Sequence, residues 1–336
     1  MKSRHLLYLS VLLSFSFLLT ACLPTASAPV PTSLPPTETP LPAAIPSPTA
    51  PPTLQPTLEG ITLQDGLNRT VTLKKAAIHI VSLAPSNTEI LFAIGAGSQI
   101  IGRDSFSDYP KEAKNLRDVG GPSFGNNMEM ITNLQPDLIL AAEINNKDQV
   151  KEFEKLGLTV FYLNNPTDMT GLYTNLEIAG KLTGREKEAA SLIESLKTRV
   201  AAVDEKIAVS NSRPKVFYEV DGTDPAKPWT TGPGSFMDKM IQEAGGANAG
   251  ANLPIQWAQI SQEELIIQNP DLILLGDAKF GTTVEMVSSR AGWNDLKAVQ
   301  IGNVHPFDDD LASRPGPRLV DGLEALAKAI HPELFP

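Results

Sequence analysis

The sequence predicts an α/β protein of two Rossmann-like lobes joined by a single long α-helix, with a cleft between the lobes. Three observations carry that prediction. A strand-then-helix unit occurs in each half of the chain, a helix–Pro-Asp–strand pattern is repeated in each half, and a long amphipathic periodicity separates the two. At 336 residues the chain is long enough for two cores.

The N-terminal segment lies apart from this body. Residues 1–21 open with Lys2 and Arg4, continue through the apolar run Leu6 to Leu19 and end just before Cys22, which has the form of a secretory signal. The run is shorter than the ~20 residues that span a bilayer. Cys22 is the single cysteine, so no internal disulfide or Cys-rich metal cluster is expected. Residues 22–59 are crowded with proline and threonine, and from Leu23 to Leu58 Glu38 is the only charge, a composition that cannot bury a core and reads as a disordered tether.

The body begins with Ile61 to Leu73, where apolar and polar residues alternate about Gln64-Asp65-Gly66, the pattern of a hairpin. Ile78 to Leu83 is a β-branched strand. Ser86 and Glu89 stand at capping-box spacing and predict a helix running to a stop at Gly95 or Gly97. Glu129 precedes Pro136-Asp137-Leu138-Ile139-Leu140 by seven residues, as Glu263 precedes Pro270-Asp271-Leu272-Ile273-Leu274. In each copy a short helix should end before the proline and a strand buried on both faces should follow. Ala189, Ile193, Leu196, Val200, Val203 and Ile207 recur at helical spacing. They predict a helix from near Arg185 to before Asn211-Ser212-Arg213-Pro214, and a single rigid connection of this kind favours a pre-formed cleft. Lys215 to Val220 is a strand, and Ser235 opens a helix ending at Gly245-Gly246. These readings place an N-terminal lobe at 60–170, a linking helical region at 171–212 and a C-terminal lobe at 213–336.

The chemistry points to binding. Lys and Arg number 28 against 38 Asp and Glu, a formal charge of −10, so no basic stripe exists for nucleic acid. No G-x-S-x-G elbow is present, and His79, His305 and His331 pair with no nucleophile that the sequence supports. Gly232-Pro233-Gly234-Ser235 lacks the Gly-Lys-Ser/Thr of a phosphate loop. Asp308-Asp309-Asp310 reads as an exposed acidic loop, and no metal site or resident cofactor is expected. Aromatic residues do stand among loop residues: Phe106 and Tyr109 in Asp104 to Pro110, Phe124 in Gly120 to Gly125, Trp229 beside Pro228, and Trp257 before Gln259. Such positions are candidates to line a cleft. Trp293 reads as core. Glu129 and Glu263, placed equivalently in two related lobes, form a symmetric pair suited to basic residues of a two-fold partner.

Ile80 to Glu89, Asp108-Tyr109-Pro110, Val119-Gly120-Gly121, Leu134 to Ile139, Trp257 to Glu264 and Arg314-Pro315-Gly316-Pro317-Arg318 together give the body, from about Gly60 to Phe335, a marked family likeness. It resembles the periplasmic-type solute-binding proteins of ABC importers for cobalamin and ferric siderophores, and within them the cobalamin-binding branch. The resemblance implies the helical-backbone, class III solute-binding fold, no enzymatic activity, and a monomer that captures a small molecule and delivers it to a permease dimer with its ATPase. It implies ligand contacts at Phe106 or Tyr109, Phe124, Trp229, Trp257 and Asp310, and permease docking through Glu129 and Glu263. Leu19-Thr20-Ala21-Cys22 resembles a lipobox, which implies a lipid anchor at Cys22 on the outer face of the cytoplasmic membrane. Phe106 and Phe124 depart from the branch, which often has Tyr and Trp there. The alternative cargo on the same scaffold is a ferric siderophore or haem, for which Arg103, Arg314 and Arg318 are the candidate cations.

Overall fold

The computed structural model describes residues 60–121 and 125–335. The signal segment, Cys22, the tether and Phe124 lie outside the described residues.

A hairpin opens the body, β1 (Ile61–Gln64) running antiparallel to β2 (Thr70–Leu73). Asp65 shapes its turn by accepting the backbone N–H groups of Leu67 and Arg69 at 2.9 and 3.0 Å. The first lobe follows as β3 (Ile80–Ser82), α1 (Pro85–Ala93), β4 (Ile100–Arg103), the two-residue strands β5 (Gly120–Gly121) and β6 (Gly125–Asn126), α2 (Met128–Asn133), β7 (Leu138–Ala142), α3 (Lys147–Lys155) and β8 (Val160–Leu163). Four of these strands form a wholly parallel sheet in the order β4-β3-β7-β8. Every residue of β7 is buried, as expected of a parallel strand covered on both faces.

Two helices then run in succession: α4 (Met169–Thr183), ended by left-handed Gly184, and α5 (Glu186–Ile207). All six apolar residues that predicted the linking helix are buried on α5. At 22 residues and 1.5 Å per residue it spans roughly 33 Å.

The second lobe comprises β9 (Lys215–Asp221), β10 (Trp229–Thr231), α6 (Phe236–Glu243), β11 (Ala247–Asn248), β12 (Trp257–Gln259), α7 (Gln262–Gln268), β13 (Leu272–Leu275), α8 (Val284–Ser288), α9 (Lys297–Gln300), β14 (Val304–Pro306), α10 (Asp310–Ser313) and α11 (Leu319–Ile330). Its sheet has the order β12-β10-β9-β13-β14, with β11 added beside β9. β9, β13 and β14 are parallel, whereas β10 and β12 form an antiparallel flank. Ser235 caps α6 by accepting the N–H of Asp238 at 3.0 Å.

The repeat read in the sequence is a structural repeat. The residue before each proline, Gln135 or Asn269, has a positive φ of 50° or 43°, which ends the helix where a pre-proline residue disfavours it. Each aspartate then ties its strand to the lobe's first strand. Asp137 accepts the N–H groups of Ile78 and His79, both at 3.0 Å, and Asp271 accepts that of Lys215 at 2.7 Å. The capping box at Ser86 does not form. The helix starts two residues earlier, with Ala84 as N-cap and Pro85 at its first position, where proline's missing N–H costs nothing. Glu89 is thereby free for the longer-range role described below.

One continuous core runs from Ile80 and Leu138 through α4 and α5 to Val216 and Leu323. Burying each of the larger α5 side chains contributes roughly 1.5–3 kcal/mol. Trp293 is fully buried in a second cluster with Phe217, its ring edge-on at 6.0 Å.

Candidate ligand cleft

The parallel strands of both lobes direct their C-terminal ends toward one cavity of about 240 Å³, the position where open α/β sheets place their ligands. The first lobe contributes Ala84, Pro85 and Ser86 after β3, Phe106 after β4, Ala142 and Ile144 after β7, and Asn165 after β8. Lys279 after β13, with Asp310, Ser313, Arg314 and Pro315 after β14, completes the wall from the second lobe.

The loop that presents Phe106 is held from beneath. Buried Asp104 accepts the Phe106 N–H at 2.9 Å and the Ser107 hydroxyl, while Thr88 links Ser107 to Ser82 at 2.8 Å on each side. Burial pushes the Asp104 carboxyl up, against the pull of these hydrogen bonds. Phe106 itself is half-exposed.

The floor of the cleft is a chain of alternating charges. Arg318 donates to Glu89 from Nε at 2.8 Å and from Nη2 at 2.6 Å, and its guanidinium lies 4.0 Å from the Tyr109 ring centroid. Arg314 donates to Asp108 at 2.5 Å, pairs with Asp310 at 3.2 Å and stands 3.8 Å from Glu89. Lys279 pairs with Asp310 and lies 4.0 Å from Asp309, which accepts the Tyr218 hydroxyl at 2.6 Å. Burial raises the pKa of Glu89, a shift its two arginines only partly offset. For Asp108 the balance is reversed: partial burial pushes upward, but the Arg314 hydrogen bond and charge hold the carboxyl below its ordinary range.

Of the residues singled out in the sequence, Phe106 and Asp310 line the cavity, and Tyr109 abuts its floor through Arg318. Trp229 and Trp257 are not among the lining residues. They occupy the β10–β12 flank, where Trp229 pairs with Gln259 and Thr231 with Trp257. That register makes the two indoles diagonal neighbours on one face, and both are half-exposed while Thr230 and Ala258 on the other face are buried. Trp229 also pairs with Asp221 at the C-terminal end of β9, the cleft-facing end of the sheet. Arg103 lies elsewhere, donating to Asp118 at 3.0 Å and to the Asp104 carbonyl. Glu129 and Glu263 are exposed in the first turns of α2 and α7. The Glu263 carboxyl is held low by its own backbone N–H and then by Ser261.

Sequence reasoning missed Glu89, Lys279, Ser86, Ile144, Asn165 and Ser313. One signal for Glu89 was present: a carboxylate within the apolar stretch of α1, next to Ile90 and Leu91, needs a partner once buried. Among the described residues no cluster of three or more His, Cys, Asp or Glu could hold a metal, and no helix is long and apolar enough to cross a membrane.

Comparison with known proteins agrees with this architecture. The family model described as periplasmic binding protein matches residues 80–311. The chain is similar to the uncharacterized ABC transporter substrate-binding lipoprotein YvrC of Bacillus subtilis, with 37% identity over 82% of this chain and 87% of the relative. It is 29% identical to a cobalamin-binding protein of Halobacterium salinarum over 81% of this chain and 74% of that one. Among solved structures, a possible iron-binding (periplasmic solute-binding) protein from Staphylococcus epidermidis superposes with a TM-score of 0.68 at 30% identity, covering 76% of this chain and all of that one.

Proposed function

Because the chain belongs to the periplasmic binding protein family, whose members are extracytoplasmic solute-binding components of ABC transporters and not enzymes, we propose that its cleft takes a corrinoid and hands it to a two-fold permease. The observation that carries this reading is the pairing of the cleft-floor cations, which face the carboxylates of Glu89, Asp108, Asp309 and Asp310. Lys279, Arg314 and Arg318 are each already paired with Asp310, Asp108 or Glu89. An anionic ferric complex would want unpaired cations there, and their carboxylate partners would repel it. What the cavity offers instead is apolar surface from Phe106, Ile144 and Pro315, with Ser86, Asn165 and Ser313 as neutral hydrogen-bonding groups. That combination suits a large, partly apolar macrocycle with an amide rim.

The cavity falls below the roughly 300–1,000 Å³ of sites that enclose a drug-sized molecule, so a corrinoid would seat one edge in it and lie along the open mouth. The indoles of Trp229 and Trp257, on one exposed ribbon face, would supply stacking area there. Glu129 and Glu263, placed by equivalent Pro-Asp turns, would meet arginines of the two permease subunits. Cys22 would carry the lipid that keeps the protein at the membrane.

Tryptophan-fluorescence titration with cyanocobalamin, ferric siderophores and haem tests the cargo, with calorimetry to separate binding from absorption of light by coloured ligands. Saturable one-to-one binding of cyanocobalamin is expected. It should weaken about tenfold or more, equivalent to roughly 1.4 kcal/mol, on replacing Trp229 or Trp257 by Ala. Calorimetric silence with cyanocobalamin together with saturation by a ferric siderophore or haem would overturn the corrinoid assignment.

A further inference from the structure

We propose that Arg318 is a pin that fixes the width of the cleft before any ligand arrives. Arg318 belongs to the second lobe, at the start of α11, yet both groups it touches belong to the first: the Glu89 carboxylate, bonded through two nitrogens at 2.8 and 2.6 Å, and the Tyr109 ring at 4.0 Å. The planar guanidinium is therefore held at its edge and across its face, a geometry lysine cannot reproduce. Glu89 is buried, so its charge must be met where it stands, and withdrawing the arginine would remove both of its close bonds and leave only Arg314, 3.8 Å away.

The backbone around the pin is built to stay in place. Pro315-Gly316-Pro317 packs against α1, where even a Cβ on Gly316 would stand at ordinary van der Waals distance, 3.4 Å, from the Glu89 Cβ and the Ser86 carbonyl oxygen. Arg314, four residues before Arg318, makes the second bond between the lobes, to Asp108. Further along α11, Asp321 and Glu324 are tied to Arg199 of α5 at 2.6–2.8 Å. α11 is thus attached both to the linking helix and, through Arg318, to the first lobe. Rotation of one lobe about α5 requires a single line of attachment, and a second attachment off that line removes the freedom. Arg318 is accordingly a positioning residue, and its charge is not available to a ligand, whether that ligand is a corrinoid or a ferric complex.

The test measures the distance between lobes without ligand, so it does not depend on the cargo. In the full chain carrying Cys22→Ser, spin labels are attached through Lys155→Cys on α3 and Gln300→Cys on α9, both exposed positions. Pulsed electron resonance should give one narrow distance. Glu89→Gln with Arg318→Met removes the pin without stranding a charge, and the distribution should then broaden and acquire a second population, with the circular dichroism unchanged. Should that variant not fold, Arg318→Lys decides: it keeps the charge opposite Glu89 but loses the fork and the stacking, and should broaden the distribution to a lesser degree. A broad distribution in the parent, or an equally narrow one in whichever of the two variants folds, would overturn the pin.

Discussion

Replacing Arg290 by Met should remove a large part of the second lobe's stability, and the loss should depend on pH. Arg290 donates to both oxygens of Glu219, at 2.5 and 2.9 Å; the Glu219 side chain is 0% exposed and that of Arg290 8%. Removing one member of such a pair costs about 3–5 kcal/mol, because the other stays buried and charged. The guanidinium also lies 4.5 Å from the Trp293 ring centroid, a contact worth roughly 0.5–2 kcal/mol, part of which the methionine side chain recovers by packing. Against a typical total of about 5–15 kcal/mol, the variant should unfold at much lower urea concentration. Burial already pushes the Glu219 carboxyl up despite the opposing arginine, and Asp277 pushes it further. Without Arg290 it rises again. A carboxyl whose folded pKa exceeds its unfolded value favours folding most below the unfolded value, about 4.3 for glutamate, and loses that contribution as pH rises through the folded one. The deficit should therefore be largest near neutrality and shrink on acidification. Urea unfolding at two pH values, followed by tryptophan fluorescence and circular dichroism, measures both quantities. A second substitution, Glu219→Gln, should restore most of the loss at neutral pH. A deficit below about 1 kcal/mol, or one equal at both pH values, would refute the reasoning from buried charge.

The same pair makes Gly222 intolerant of a side chain: its Cβ would collide with Glu219 Oε1 and Arg290 Nη2, so Gly222→Ala should lower the unfolding midpoint toward that of the Arg290 variant. Asp65→Ala should release the β1–β2 turn at a cost of about 1–3 kcal/mol, read as faster amide hydrogen exchange over residues 61–73. Burial works against ionised Asp65, but hydrogen bonds from Arg69 and the turn backbone more than offset it and leave the pKa lowered. Its contribution is thus present above the unfolded pKa and lost as pH falls through the folded one. Glu129→Ala with Glu263→Ala should leave ligand titrations unchanged and abolish uptake by cells that depend on this protein. Normal uptake would remove the docking role.

Much of the fold is written in local signals. The α5 periodicity, the Pro-Asp turns and the Ser235 cap each act within one or two turns of chain, and each forms where the residues indicate. The failed capping box at Ser86 shows the limit of such reasoning. Two signals competed over neighbouring residues, and proline at the first helical position settled the start, while tertiary pairing took the glutamate. The cleft aromatics were legible for a different reason, since bulky rings beside Gly and Pro stand out from composition alone. Whether a given ring faces the cavity depends on strand register, which sets Trp229 and Trp257 side by side on the β10–β12 face and leaves Phe106 to line the cavity.

Charge in the cleft was the least legible property, because its balance depends on contacts very distant in sequence. Read locally, Arg314 and Arg318 are two cations beside a ligand cleft and invite an anionic cargo. The fold brings Asp108 to the first from 206 residues away and Glu89 to the second from 229, and it sets Lys279 against Asp310. The two apparent ligand cations and Lys279 thus form three ion pairs, two of them bonds between the lobes. Ion pairs of this kind add little net stability compared with well-packed apolar residues, since desolvation consumes most of the Coulombic gain. Their contribution here is geometric: each between-lobe pair is satisfied only at one separation of the lobes, so the residues that look most like ligand contacts define the shape of the cleft in which a neutral ligand can be held.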